Sequence, residues 1–267
     1  MLIPPEFSRK IVDVFGESGT AWLAALPTLL AECEERWQIA VQPPFSLSYN
    51  YVAPATRVDG SDVVLKLGVP SADSRSEIAA LRHYGGRGIV ALLDADDGRG
   101  IMLLERISPG TPLAELSDDE SMTDIAAAIM VDLWRPPPPN HAFPTVETWS
   151  LALPRLRARY GGTTGPLPAG LFALAESRFA DLFSSQGESM LLHGDAHHEN
   201  ILRAERKPWL AIDPKGVIGD RGYETGSFLC NQLLHLRNPK QALARRVDQL
   251  AERLDYDRAR LIAWGLA

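Results

Sequence analysis

Residues 191–202 read LLHGDAHHENIL, and residues 209–214 read WLAIDP. Apolar residues enter and leave the first segment around a polar centre, so it predicts two short strands flanking a loop that presents His193, Asp195, Glu199 and Asn200. Asp195 and Asn200 stand five apart, and Asp213 follows thirteen residues later at the end of an apolar strand. A carboxylate, an amide at +5 and a second carboxylate after a short hairpin is the spacing of a phosphoryl-transfer loop. In that reading Asp195 is the catalytic base that orients or deprotonates an attacking hydroxyl. Asn200 and Asp213 supply hard oxygen ligands for Mg²⁺ on the phosphates of ATP.

Working outward, the amino-terminal half supplies complementary parts. Lys66 sits in the apolar strand VVLKL, where its point charge can reach nucleotide phosphates, and Glu77 lies eleven residues on in the helical segment SRSEIAALRHY. Pairing with Glu77 would fix the direction of Lys66. GIMLLERI predicts a strand leading into a hinge, with backbone groups around Glu105 and Ile107 available to an adenine edge. The polar stretch 46–50, with Ser48 and Asn50, occupies the place of a phosphate-covering loop.

Around these lies an amphipathic helix from Thr20 to Trp37, bent or interrupted at Pro27. Strands follow in WQIAVQ, SYNYVA and VVLKLG, with Asp59-Gly60 as a hairpin turn. Helical spacing from Ser74 to Tyr84 and the strands IVALLDAD and GIMLLERI complete a small antiparallel sheet with one helix after its third strand. Beyond Ser108-Pro109-Gly110 helices dominate, at Asp118–Leu133, Thr148–Tyr160, Ala169–Phe183 and over the last forty residues. Pro136–Pro139 reads as a rigid connector. The expected fold class is α+β, protein-kinase-like and two-lobed, with a β-rich nucleotide-binding lobe at 1–106 and an α-rich catalytic and acceptor-binding lobe at 107–267. The chain stops in LIAWGLA, an apolar helical stretch with no cap, so one or more closing helices are expected beyond it.

LLHGDAHHENIL followed by WLAIDPKGVIGDRGYETGSF, together with SYNYVAPA and VVLKL, resembles the aminoglycoside phosphotransferase-like kinases. The resemblance runs from about Trp37 to the end and is closest to the branch of streptomycin 6-phosphotransferases and hydroxyurea phosphotransferases. It implies a kinase-like fold with ATP in the cleft, and it assigns Lys66 to the phosphates, Glu77 to positioning Lys66, Asp195 to the base, and Asn200 and Asp213 to Mg²⁺. No GxGxxG precedes Lys66, and no long loop or APE-like anchor follows Asp213, which disfavours a protein kinase and points to a small acceptor. The expected reaction is ATP-dependent phosphorylation of a hydroxylated small molecule, an aminoglycoside such as streptomycin first, with hydroxyurea or another metabolite as the alternative.

Composition agrees with that partner class. Hydrophobic residues are 45% and charged residues 23%, ordinary globular usage. With 27 Lys+Arg against 34 Asp+Glu the net charge is −7, without the basic excess of a nucleic-acid binder but hospitable to a cationic substrate. Acceptor contacts are expected from His198, Glu199, Asp220 and Glu224, with Arg221 and Tyr223 nearby, although packing or a solvated turn accounts for each as readily. No apolar run approaches the roughly 18 residues of a membrane span, and MLIPPEFSRK lacks the order of a secretory signal, so a soluble, cytoplasmic protein is expected.

Two other function classes use the same residues. His193, Asp195, His197 and His198 form HxDxHH, which in a metal-dependent hydrolase would ligate zinc, but that leaves Lys66, Glu77 and Asp213 without a role. A nucleotide-binding pseudokinase would have lost Asp195, Asn200 or Asp213, and all three are intact. Cys33 and Cys230 form no disulfide framework, and Cys33, between Glu32 and Glu34, is expected to be inert.

Overall fold

In a computed structural model that describes residues 3–185 and 187–267, the chain begins with a helix, α1 (Pro5–Trp37), longer than its apolar spacing implied. Its break falls at Gly16, where φ is 57° and ψ −129°, and not at Pro27, which lies inside the helix. Pro27 is exposed, and the helix continues through it despite the N–H it lacks. Gly16 can adopt the left-handed φ at little cost, and so the turn is made there.

Five strands follow: β1 (Ile39–Val41), β2 (Tyr51–Arg57), β3 (Asp62–Leu67), β4 (Leu92–Asp96) and β5 (Ile101–Glu105), with α2 (Ala72–Tyr84) between β3 and β4. They form one antiparallel sheet in the order β1-β2-β3-β5-β4. The expected turn between β2 and β3 is present, with Gly60 at φ 83° and the Asp59 carboxylate accepting the Ser61 N–H. Alternation along β2 and β3 sends Tyr51, Ala53, Ala55, Val63, Leu65 and Leu67 to one face. There they pack with Phe7, Ile11, Trp22, Leu26, Leu30 and Cys33 of α1. Burial pushes the Cys33 thiol up to about 11, so it stays protonated and inert. Lys66 projects to the other face, the side of α2. That helix is started by a reciprocal Ser71–Ser74 capping box and stopped by left-handed Gly85. This set of elements, Met1–Gly86 with Val90–Ile107, is one of two compact units.

The second unit comprises Arg87–Ile89 and Ser108–Ala267. Its helices are α3 (Asp119–Leu133), α4 (Val146–Ser150), α5 (Ala152–Arg159), α6 (Ala169–Ser184), α7 (Thr225–Cys230), α8 (Pro239–Arg253) and α9 (Arg258–Leu266). The single helix expected over Thr148–Tyr160 is two, α4 and α5, meeting at Leu151 three residues before Pro154. Two small sheets pair β10 (Val217–Gly219) with β7 (Met190–Leu192), and β8 (Ile201–Ala204) with β6 (Pro109–Pro112) and β9 (Trp209–Ala211). The strands flanking the motif loop, β7 and β8, therefore belong to different sheets, and the loop is the chain's step from one to the other.

Helices α3, α7 and α8 are joined by a buried cation. Arg246 is fully buried, and its Nη2 and Nε donate to Asp119 Oδ1 at 2.6 and 3.0 Å. Its Nη1 donates to the carbonyls of Phe228 at 3.0 Å and Asn231 at 2.8 Å, and the guanidinium lies 5.2 Å from the Phe228 ring centroid. Removing one member of such a pair strands the other charge away from water. Asp119→Ala should therefore lower unfolding free energy by about 3–5 kcal/mol. Adding Arg246→Met should restore part of that loss, with urea unfolding midpoints as the check.

Candidate functional site

In the first unit, Lys66 is 2% exposed and its Nζ lies 2.5 Å from Glu77 Oε1. The strand delivers the ammonium to the α2 face, and the helix places Glu77 six residues past its Ser71 cap, so the pairing follows from two local rules. Asn50 packs its side chain against Gly68, where a Cβ would come within 2.5 Å of Asn50 Oδ1, and Ser48 is exposed on the same irregular stretch. Glu105 closes β5 against the preceding segment. Its N–H donates to the Ala91 carbonyl and its carboxylate accepts the Ala91 N–H, each at 2.9 Å, while Ile107 is buried.

The second unit gathers the motif loop. His193, at the end of β7, is completely buried, with Nε2 2.7 Å from the Ile212 carbonyl and Nδ1 accepting the Asp195 N–H at 3.2 Å. One imidazole thus ties the residue before Asp213 to the backbone of Asp195. Ile212 N–H also donates to the Asn200 carbonyl at 2.9 Å, so all three motif residues are tied to one framework. Asn200 Nδ2 donates to the Asp195 carbonyl at 3.0 Å, closing the loop on itself. Asp213 is held at φ 58°, a left-handed conformation that aspartate tolerates better than most side chains. The Asp195 carboxylate is partly exposed, between His197 Nε2 and Lys215 Nζ, each 3.7 Å away.

Beneath the loop lies Glu224, 2% exposed, whose two oxygens accept the N–H groups of His193 at 2.8 Å and Gly194 at 2.9 Å. Burial pushes its carboxyl up to about 7, against the lowering effect of those backbone donors. Burial likewise raises the Tyr223 phenol to about 12.

Three of the four residues expected to line an acceptor pocket have other employment. Glu224 carries the loop from below. Asp220 is buried in a corner, where it caps Gly222 and takes Arg260 at 2.6 Å and the Tyr256 hydroxyl. His198 is fully buried, stacked on Phe228 with centroids 4.1 Å apart and with Nε2 3.4 Å from Arg246. In each case burial of the polar group against a structural partner removes it from a dissolved acceptor. Glu199 differs: its side chain is partly exposed, with Oε2 3.0 Å from His197 Nδ1 and Oε1 accepting from Gln232.

The same geometry overturns the zinc-hydrolase alternative. Both nitrogens of His193 are committed, His198 is sealed under Arg246, and among the described residues no three His, Cys, Asp or Glu side chains converge as metal ligands. Sequence reasoning passed over Lys215, although it stands two residues after Asp213, and Arg246, whose signal is a basic residue inside the buried stripe Ala242, Val247 and Leu250. Gln232 carried no local signal at all.

Comparison with known proteins decides the family. The model of the aminoglycoside/hydroxyurea antibiotic resistance kinases matches residues 36–267. The chain belongs to that family. This kinase is 34% identical over 266 residues to streptomycin 6-kinase of Streptomyces glaucescens, covering 98% of this chain and 86% of that one. It is 32% identical over 267 residues to hydroxyurea phosphotransferase of Kitasatospora aureofaciens, covering 99% and 77%. Its fold is shared with an aminoglycoside phosphotransferase of Streptomyces rimosus in complex with ADP and streptomycin, with a TM-score of 0.63, 18% identity, and coverage of 92% and 97%. Among the described residues of the kinase, no helix is long and apolar enough to cross a membrane.

Burial lowers His193 and His198 to about 4 each, with Arg246 adding to the effect on His198. Both imidazoles accept a proton more readily in the unfolded chain, so stability present above pH 6.5 is lost as pH falls toward 4. Thermal midpoints of the kinase should drop across that window, and His198→Gln should make the drop shallower. An unchanged slope would show that His198 is not one of the groups responsible.

Proposed function

We propose that this kinase transfers the γ-phosphoryl group of ATP to a hydroxyl of a cationic aminoglycoside, streptomycin being the first candidate. The observation that carries the reading is the bonding of His193 and Ile212, which gathers the backbone of Asp195, Asn200 and Asp213 into one framework. The streptomycin 6-kinase names of its relatives support the acceptor class.

In this reading the Asp195 carboxylate accepts the hydrogen bond of the attacking hydroxyl, aims its lone pair at phosphorus and takes its proton as the new bond forms. The transition state is loose, so placement matters more than base strength. His193 and Glu224 hold the backbone of Asp195 in place and touch no substrate. Lys66, kept extended by Glu77, meets the nucleotide phosphates, with Ser48, Asn50 and the backbone near Glu105 and Ile107 completing the nucleotide contacts. Of the four expected acceptor contacts, Glu199 is the one whose side chain is partly exposed, and it would meet a guanidinium or amine of the acceptor.

The donor atoms suit magnesium. Asn200 commits Nδ2 to the Asp195 carbonyl, which leaves its amide oxygen for a cation, and Asp213 adds a carboxylate, both hard oxygen donors. Magnesium bound by them would neutralise charge on the β- and γ-oxygens.

Hydroxyurea is the second acceptor to test, because the kinase covers 77% of a hydroxyurea phosphotransferase at 32% identity. Coupled ADP release with Mg-ATP should depend on added streptomycin. Asp195→Ala should lower turnover by about 10³-fold or more while leaving ATP binding within a small factor. Turnover with hydroxyurea or another hydroxylated metabolite, and none with streptomycin, would keep the chemistry and replace the acceptor. Failure to bind ATP would overturn the kinase assignment of these residues.

A further inference from the structure

The Asp195 carboxylate has a cation whose role in the reaction is open. Among the described residues, Lys215 is the one lysine or arginine within ion-pair distance of Asp195, its Nζ 3.7 Å from Oδ2. We infer that Lys215 is a further catalytic residue, whose ammonium meets the γ-phosphoryl group as it passes to the acceptor hydroxyl; this rests on the kinase reading above.

Three observations carry it. The backbone of Lys215 is fixed, since its N–H donates to the His193 carbonyl at 2.7 Å and the Gly216 N–H approaches the same oxygen at 3.3 Å. The stem is fixed too: Gly194, at φ 81°, packs so closely that a Cβ there would stand 3.2 Å from Lys215 Cβ. The side chain as a whole is 50% exposed and makes no buried ion pair among the described residues, so its charged end is not spent on holding the fold. A charge-assisted hydrogen bond closes to about 2.7–2.9 Å, and at 3.7 Å the ammonium is associated with Asp195 without being locked to it. His197 approaches the other carboxylate oxygen, Oδ1, at 3.7 Å, and its Nδ1 lies 3.0 Å from Glu199 Oε2, so Lys215 is the fixed cation at Oδ2.

The ammonium therefore has two successive counterions. Before the donor arrives it faces Asp195. When Asp195 turns to the acceptor hydroxyl, the γ-oxygens bring negative charge to the same place, and the Lys215 ammonium donates hydrogen bonds to them. In the reaction the bond from γ-phosphorus to the bridging oxygen breaks and its electron pair leaves with ADP. The hydroxyl oxygen forms the new bond to phosphorus, and the hydroxyl proton goes to Asp195. Lys215 donates hydrogen bonds throughout and neither gains nor loses a proton. Preorganised donors of this kind act on the transition state and so on kcat.

The experiment compares wild type, Lys215→Ala and Lys215→Arg as full chains with Mg-ATP and the acceptor that wild type turns over. For Lys215→Ala we expect kcat about 100-fold lower with both KM values within about threefold. We expect partial recovery in Lys215→Arg, and saturable rescue of the alanine variant by methylammonium, with thermal midpoints unchanged. A purely structural role would move the midpoint and resist rescue, and would overturn the proposal. So would a normal kcat, or a loss confined to the acceptor KM. Wild type that neither binds Mg-ATP nor releases ADP overturns the kinase reading and this inference together, whereas active wild type with a normal Lys215→Ala overturns this inference alone.

Discussion

A buried carboxylate bonded to two consecutive backbone N–H groups supports the motif loop of the second unit. Glu224 takes His193 and Gly194 from below. His193 in turn spans from the Asp195 N–H to the Ile212 carbonyl, and its own carbonyl receives Lys215 and Gly216. Buried polar groups of this kind are costly when unpaired and directional when paired. The loop is accordingly positioned by hydrogen bonds whose partners come from the strand before it, the segment after β9 and the turn before α7. Arg246 adds the outer support, reaching from Asp119 to the carbonyls beside Phe228 and to His198.

This layered support explains which residues could be recognised from the chain alone. Asp195, Asn200 and Asp213 stand at short, regular spacing, because loop and hairpin geometry sets the distance between groups that must share one site. Lys66 and Glu77 were legible because Lys66 interrupts the apolar run VVLKL and Glu77 stands in the helical segment that follows it. Their pairing across eleven residues needs only a capped helix directly after the strand. The small sheet and its inserted helix were readable for the same reason.

What stayed hidden depends on contacts distant in sequence. Nothing in the tract GDRGYETGSF distinguishes a carboxylate facing solvent from one facing the underside of another loop, so Asp220 and Glu224 looked like acceptor contacts and are structural. His198 alternates with its neighbours in a polar run, and its burial depends on Phe228 and Arg246, thirty and forty-eight residues further along. The first turns of α1 were missed because their few apolar positions, Phe7 and Ile11, acquire meaning only against the sheet that follows. Pro27 was read as the breaker of a helix starting at Thr20, yet the helix runs through Pro27 and turns at Gly16, upstream of that start.

The Lys66–Glu77 pair also constrains the paths along which this chain can change. Both groups are largely withdrawn from water, at 2% and 12% exposure, so replacing either one takes an ion-pair partner from the other. Residues in direct ionic contact couple energetically, so the effects of replacing the two should not simply add. A lineage that abandons nucleotide chemistry would therefore still meet a stability cost at this pair, and coupled replacement is the easier route away from it. Variation at the two sites should therefore be correlated even where catalysis no longer selects for them.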